Sequence, residues 1–370
     1  MKNKLIPVIL IATAFGLLAG AAGALFTNVY TAGISGGFDF NRELNLNNYG
    51  YLSPGLIIRD AKKVVVNQDV KVDETIRDLR STLLGVYVKQ AGSTALYDLK
   101  APFAQALAAT TDGWAMVAWP EAITVAEIAA LPEEYILVDN NRKVYEVDQA
   151  LGAPDSSFIF MHLRDATSLS VRRLVEDADI KPGLSVLLAA EGDRYLLDTL
   201  SSKTLTAPVL SSDVYSQQIS LSNVQVDRPY FMFNLSGEIV GAVDWEGNMI
   251  ASPELNAYWR SLLKTRTLAL PSFGVNYLDL SAVVGNKEFP EKGALLRANG
   301  EAAAVLVNGS AAKAGLKTGD IITRIDGTEI NQDNNLSVLI ANYSPGDRLL
   351  VSYIRDGVAS QTEVTLTQVQ

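Results

Sequence analysis

Two apolar runs, Phe231–Leu235 and Glu238–Val243, are separated only by Ser236-Gly237, and this spacing constrains the chain more than any other feature. A two-residue connection forces the second run back antiparallel on the first, and glycine supplies the positive φ that a tight hairpin needs. The same short-strand, short-turn pattern recurs upstream. It gives a strand at Leu83–Val88, the Asp112-Gly113 turn before Trp114–Val117, and a hairpin of Tyr135–Val138 and Lys143–Val147 around Asp139-Asn140-Asn141. Further strand candidates are Phe158–Met161, Tyr195–Leu200 and Gln218–Leu221. Many short strands at close spacing predict an all-β barrel or sandwich. Two helices interrupt the pattern. One runs from a capping Asp73 to Arg80; the other, Glu254–Leu263, puts Leu255, Tyr258, Trp259 and Leu262 on one apolar face.

The chain of 370 residues is 48% hydrophobic, enough for two folded domains with real cores. Its net charge of −10, with no basic stripe, argues against a nucleic-acid partner. With no cysteine and a single histidine, neither a disulfide framework nor a conventional metal site is expected. Lys2 and Lys4 precede an uncharged apolar run, Leu5–Phe26, and the next charge is Asp39. A run of this length spans a bilayer, and the basic flank predicts a cytoplasmic N-terminus (1–4) with the bulk outside. The alternative is a signal peptide cleaved near Ala22-Gly23-Ala24. Residues 27–60, mixed in Gly, Asn and Ser, read as a stalk.

The line Asn234-Leu235-Ser236-Gly237-Glu238, with Gly241, resembles the end of the proteolytic core of the HtrA (Deg-type) serine proteases. That family is chymotrypsin-like, and there the line follows G-N-S-G-G-P-L-V. The resemblance implies a mostly β chain: an N-terminal transmembrane helix (5–26), a chymotrypsin-like double β-barrel (61–265) and a C-terminal α+β PDZ domain (271–370). In the family register Arg228 stands at the nucleophile, with Asp227 before it and Pro229-Tyr230 at the Gly-Gly. The catalytic histidine falls on Pro120 and the triad aspartate on Ser157. None of the three can do the work of a nucleophile, base and orienting acid. Pro229 also lacks the N–H that an oxyanion hole would use. His162, at the end of an apolar run, is expected to be structural.

From Pro271 onward the resemblance is to the PDZ domain that follows such protease domains. Ser272-Phe273-Gly274-Val275 stands at the loop that receives a peptide's carboxylate. Val307–Leu316 and Gly319–Gly327 lie near the family pattern. Ser310 is expected to cap a one-turn helix, and Asn335–Tyr343 to form an amphipathic helix. That helix carries Leu336, Leu339 and Ile340 on the groove side or in the core. The resemblance implies no cofactor and a peptide or protein C-terminus in the groove. It also implies a homo-trimer or a hetero-oligomer with an active relative, in envelope protein quality control. The expected function is that of a membrane-anchored pseudoprotease; the alternatives are a residual serine endopeptidase with a displaced active site, and a structural protein with an idle groove.

Overall fold

The computed structural model describes residues 68–90, 92, 95–152, 158–223, 228–284 and 289–369. The apolar run Leu5–Phe26, the stalk and Ser157 lie outside them. Among the described residues no helix is long and apolar enough to cross a membrane.

The first helix, α1 (Gln68–Leu79), begins ahead of the expected cap, so Asp73 lies inside it and Asp69 occupies its first turn. Thr75 fixes it to the rest of the fold, donating its hydroxyl to the carbonyls of Lys71 and Leu235. Six strands then close a barrel: β1 (Leu83–Val88), β2 (Ala104–Ala108), β3 (Trp114–Ala118), β4 (Tyr135–Val138), β5 (Val144–Gly152) and β6 (Phe158–Leu163). Their order is β1-β2-β3-β6-β5-β4, antiparallel throughout.

All five residues of β3 are buried. Ala115 and Val117 point into the barrel, while Trp114, Met116 and Ala118 pack outward with Leu187, Ala189, Phe231 and Phe233. Burial on both faces is why this strand is continuously apolar instead of alternating. Between β3 and β4 lies α2 (Val125–Glu134), which the strand pattern did not predict. Its capping box is complete: Thr124 accepts from the Glu127 N–H, and Glu127 accepts from the Thr124 N–H.

The next strands are β7 (Ser185–Ala190), β8 (Arg194–Leu205), the two-residue β9 (Leu210–Ser211), β10 (Gln217–Leu221), β11 (Tyr230–Asn234), β12 (Ile239–Val243) and β13 (Met249–Ala251). Without β9 they form one sheet in the order β10-β8-β7-β11-β12-β13. It is barrel-like, as the expected double β-barrel requires, with no strand pairing between β10 and β13. Val186, Leu188, Ile219, Met232 and Val240 fill its interior. The Ser236-Gly237 turn joins β11 to β12 as expected, with Gly237 at φ 77°. Helix α3 (Ser252–Thr265) buries Leu255, Tyr258, Trp259 and Leu262 between the first two sheets.

The C-terminal strands are β14 (Pro271–Ser272), β15 (Asn276–Asp279), β16 (Ala294–Leu296), β17 (Ile321–Ile325), β18 (Thr328–Glu329), β19 (Arg348–Arg355), β20 (Val358–Thr365) and β21 (Thr367–Gln368). The main sheet runs β20-β19-β17-β16-β15-β9, with β18 on β17, so its last strand is lent by the preceding half of the chain. Two short helices cover this sheet, α4 (Ser310–Lys313) and α5 (Leu336–Ile340). Gly309, not Ser310, holds the cap position of α4. The Ser310 hydroxyl instead donates to the Ser272 carbonyl at 2.7 Å and accepts the Thr367 N–H, tying the loop to β21. Helix α5 is one turn and a half, shorter than expected, and every residue in it is buried.

Candidate functional site

Pro120 follows the buried Trp119 just past the end of β3. The Trp119 ring packs on Phe103 and Tyr135, so the segment is held by aromatic contact, and Pro120 itself carries no group that transfers a proton. Arg228 lies just before β11, and its guanidinium donates to Glu191 at 2.5 Å, both side chains being about one quarter exposed. Pro229, next to it, is buried.

His162 on β6 has a carboxylate behind it, since Nδ1 lies 2.6 Å from Asp148. Its other nitrogen, Nε2, faces the backbone carbonyl of Asp112 at 3.2 Å, and the ring lies against Trp114. A general base needs a hydroxyl at that second position, and here an acceptor fills it. His162 pins the β2–β3 turn to β6, a structural role.

Of the seven residues expected at the peptide groove, Phe273, Val275, Leu336, Leu339 and Ile340 share one core cluster, and Ser272 and Gly274 lie in the same loop as Phe273 and Val275. Gly274 has φ 80°, and a Cβ there would meet the Gly309 Cα at 3.4 Å, so the loop is shaped around glycine. Phe273 and Val275 turn their side chains into the core beside Leu336, Leu339 and Ile340 of α5. The loop's carbonyls are already used: Phe273 accepts from Ala311 and Gly274 from Leu306. Its N–H groups therefore point the other way, as an anion-binding nest.

That nest is filled from within the chain. Asp213 Oδ1 accepts the N–H of Phe273 at 2.8 Å and that of Gly274 at 3.0 Å, and its Oδ2 accepts the Ser272 hydroxyl at 2.6 Å. Ser212 Oγ accepts the Val275 N–H at 3.1 Å, and the Ser212 N–H donates to the Val275 carbonyl at 2.9 Å. Just before them, Ser211 pairs with Asn276 and Leu210 with Tyr277, antiparallel on β15. Leu210 is 2% exposed and packs in the core with Phe273, Val275, Leu336 and Ile340.

Sequence reasoning did not find Leu210, Ser212 or Asp213. Val209-Leu210-Ser211-Ser212-Asp213 reads as an ordinary loop, and only its partner 60 positions on gives the carboxylate its meaning. Nearby, the Glu254 carboxyl of α3 is pushed up to about 7 by burial, in a recess that also includes Asp213 and Ile340.

Residues 293–366 match the family described as PDZ domain. The chain is 33% identical over 88 residues to the probable periplasmic serine endoprotease DegP-like of Brucella suis biovar 1, covering 24% of this chain and 16% of that protein. It is 24% identical over 152 residues to the serine protease Do-like HtrA of Lactococcus lactis subsp. lactis, covering 37% of each. The HtrA-type protease AlgW with tripeptide overlays with a TM-score of 0.46 and 14% identity, over 80% of this chain and 97% of that one. The chain thus spans well under half the length of these two curated relatives. By sequence, residues 293–366 are a PDZ domain, and the chain is similar to HtrA-type serine proteases over part of its length.

Proposed function

We propose that this chain is an extracytoplasmic peptide-binding protein of HtrA type that does not cleave peptide bonds. The observation that carries this reading is the Arg228–Glu191 pair just before β11. A guanidinium cannot serve as a nucleophile, and the adjoining Pro229 has no N–H to lend to an oxyanion. Support for binding comes from the nest at Ser272–Val275, which already accepts a carboxylate. Periplasmic placement of the DegP-like relative favours an extracytoplasmic site for this one. On this reading residues 5–26 anchor the chain to the bilayer, 61–265 are the altered protease domain and 271–370 the PDZ domain. Assembly follows as a homo-trimer or with an active relative.

Two measurements on the full chain test it. A fluorophosphonate probe is expected to leave every serine unlabelled, and a fluorescent C-terminal peptide is expected to bind as the free acid and not as the amide. Serine labelling together with casein cleavage would overturn the loss of proteolysis. Equal binding of acid and amide would overturn carboxylate recognition.

A further inference from the structure

The connection between β8 and β10 leaves the second sheet through a narrow neck. There the Thr206 N–H donates to the Ser216 carbonyl at 3.0 Å, and Gln217 pairs with Leu205. The loop beyond the neck crosses to the C-terminal sheet and makes, in order, the bonds that an extended peptide ending in a carboxylate would make. Leu210 and Ser211 extend the sheet edge, Ser212 gives its N–H to the Val275 carbonyl, and a carboxylate lands on the N–H groups of Phe273 and Gly274. The difference is that this carboxylate belongs to the Asp213 side chain, so the backbone runs on to the exposed Val214.

We propose that Leu210–Asp213 is a built-in ligand of the PDZ groove, and that a free peptide C-terminus with an apolar last residue and another apolar residue two positions earlier competes with it. The proposal rests on the peptide-binding reading above and names the ligand class. The side-chain preference comes from what the segment fills and what it leaves. Strand periodicity puts Leu210 and Ser212 on one face, and Leu210 is fully seated in the core. Beside Ser212 a recess of about 80 Å³ remains, bordered by Leu270, Pro271, Ile340 and Ala341 and also by Tyr215 and Glu254. That space exceeds the ~15 Å³ a water needs and is below the ~150 Å³ that holds benzene, so it suits an aliphatic side chain. A terminal valine or leucine would bury carbon where the resident segment has only a serine.

The segment is also built to leave without unravelling its roots. Below it, the Tyr215 hydroxyl donates to the buried Asp177 at 2.6 Å, and Lys203 holds the same carboxylate at 3.0 Å. These bonds lie outside the groove and do not depend on Asp213. Competition of this kind lowers apparent affinity by the fraction of time the groove is open.

The test uses the full chain, its Asp213→Ala and Asp213→Asn variants, and a fluorescein-labelled octapeptide ending Val-Leu-Ser-Val, as free acid and as amide. Polarisation reads binding, and hydrogen exchange reads the amides of residues 272–276. Removing a charged acceptor is expected to tighten acid binding roughly tenfold or more in Asp213→Ala, with Asp213→Asn in between and the amide gaining nothing. Without peptide, residues 272–276 should exchange faster in Asp213→Ala, and the acid should restore protection. Equal acid affinity and equal exchange in wild type and variants would overturn the built-in ligand while leaving the peptide-binding reading standing. Faster exchange in the variants with no acid binding to any of the three proteins would overturn the peptide-binding reading and the competition with it.

Discussion

The Asp213 carboxylate lies 2.8 Å from the Phe273 backbone nitrogen, so a loop of the second sheet completes the anion site of the C-terminal sheet. Two sheets of the chain are thereby joined at the groove expected to bind a ligand. Further contacts mark the same seam: Asn256 donates to Asn342 at 2.9 Å, and Lys264 pairs with Asp347. These outer bonds are exposed and contribute little individually. The apolar contact of Leu210 and the carboxylate bonds of Asp213 dominate.

Leu210→Ala tests that ranking. A buried leucine cut to alanine in a fixed core costs about 2–5 kcal/mol. Here the cost is bounded, because the loop is able to undock rather than hold a cavity open. Urea unfolding is expected to show a loss near ~2 kcal/mol, with exchange at residues 210–213 and 272–276 rising together. A change below ~0.5 kcal/mol, with protection intact at both segments, would show that Leu210 does not hold the seam.

The fold was legible where a local rule decides it. Leu83–Val88 and Tyr135–Val138 are strands with the expected limits, because β-branched and apolar runs there stop at polar residues. The hairpin at Ser236-Gly237 followed from glycine at φ 77°. What escaped depends on distant partners: the strand lent by Leu210–Ser211 and the Asp213 carboxylate. Ser310 looked like a cap by residue type, but its hydroxyl is claimed by Ser272 and Thr367 from outside the helix. Helix α2 did carry a local signal, Thr124-x-x-Glu127, which reasoning centred on strand periodicity passed over.

That capping box gives a second prediction. The Thr124 side chain accepts the Glu127 N–H at 3.3 Å, one of the unpaired donors of the first turn. Thr124→Ala is expected to cost about 1 kcal/mol in urea unfolding, and Thr124→Ser close to nothing. Equal losses in both would mean that the methyl group, not the hydroxyl, matters.

Arg228→Ser restores the residue type that the family register expects, and it should restore nothing else. The family register puts Pro120 at the base, the neighbour Pro229 has no N–H, and His162 spends Nε2 on the Asp112 carbonyl. Casein cleavage and fluorophosphonate labelling are expected to stay at background. The substitution also strips Glu191 of its partner at a site about one quarter exposed, for a loss of roughly 1 kcal/mol. Any serine-dependent turnover in Arg228→Ser would mean that a base lies within reach of that position.

Glu254 sets an expected dependence of stability on pH. Its carboxyl is raised from 4.5 to about 7 by desolvation at the seam, near the Tyr215 hydroxyl that Asp177 holds. Between those two values the folded chain keeps a proton that the unfolded chain releases. Stability is therefore full below about 4.5 and falls as pH rises to about 7, by an amount on the order of 3 kcal/mol. Glu254→Gln carries no charge at any pH, so it should match wild type at pH 4 and exceed it at pH 8. Denaturant midpoints at the two pH values, with the m-value checked for constancy, measure this. A wild-type curve with no fall from Glu254 between pH 4 and 8, parallel to that of Glu254→Gln, would mean that water reaches the carboxylate and the seam is open on that side.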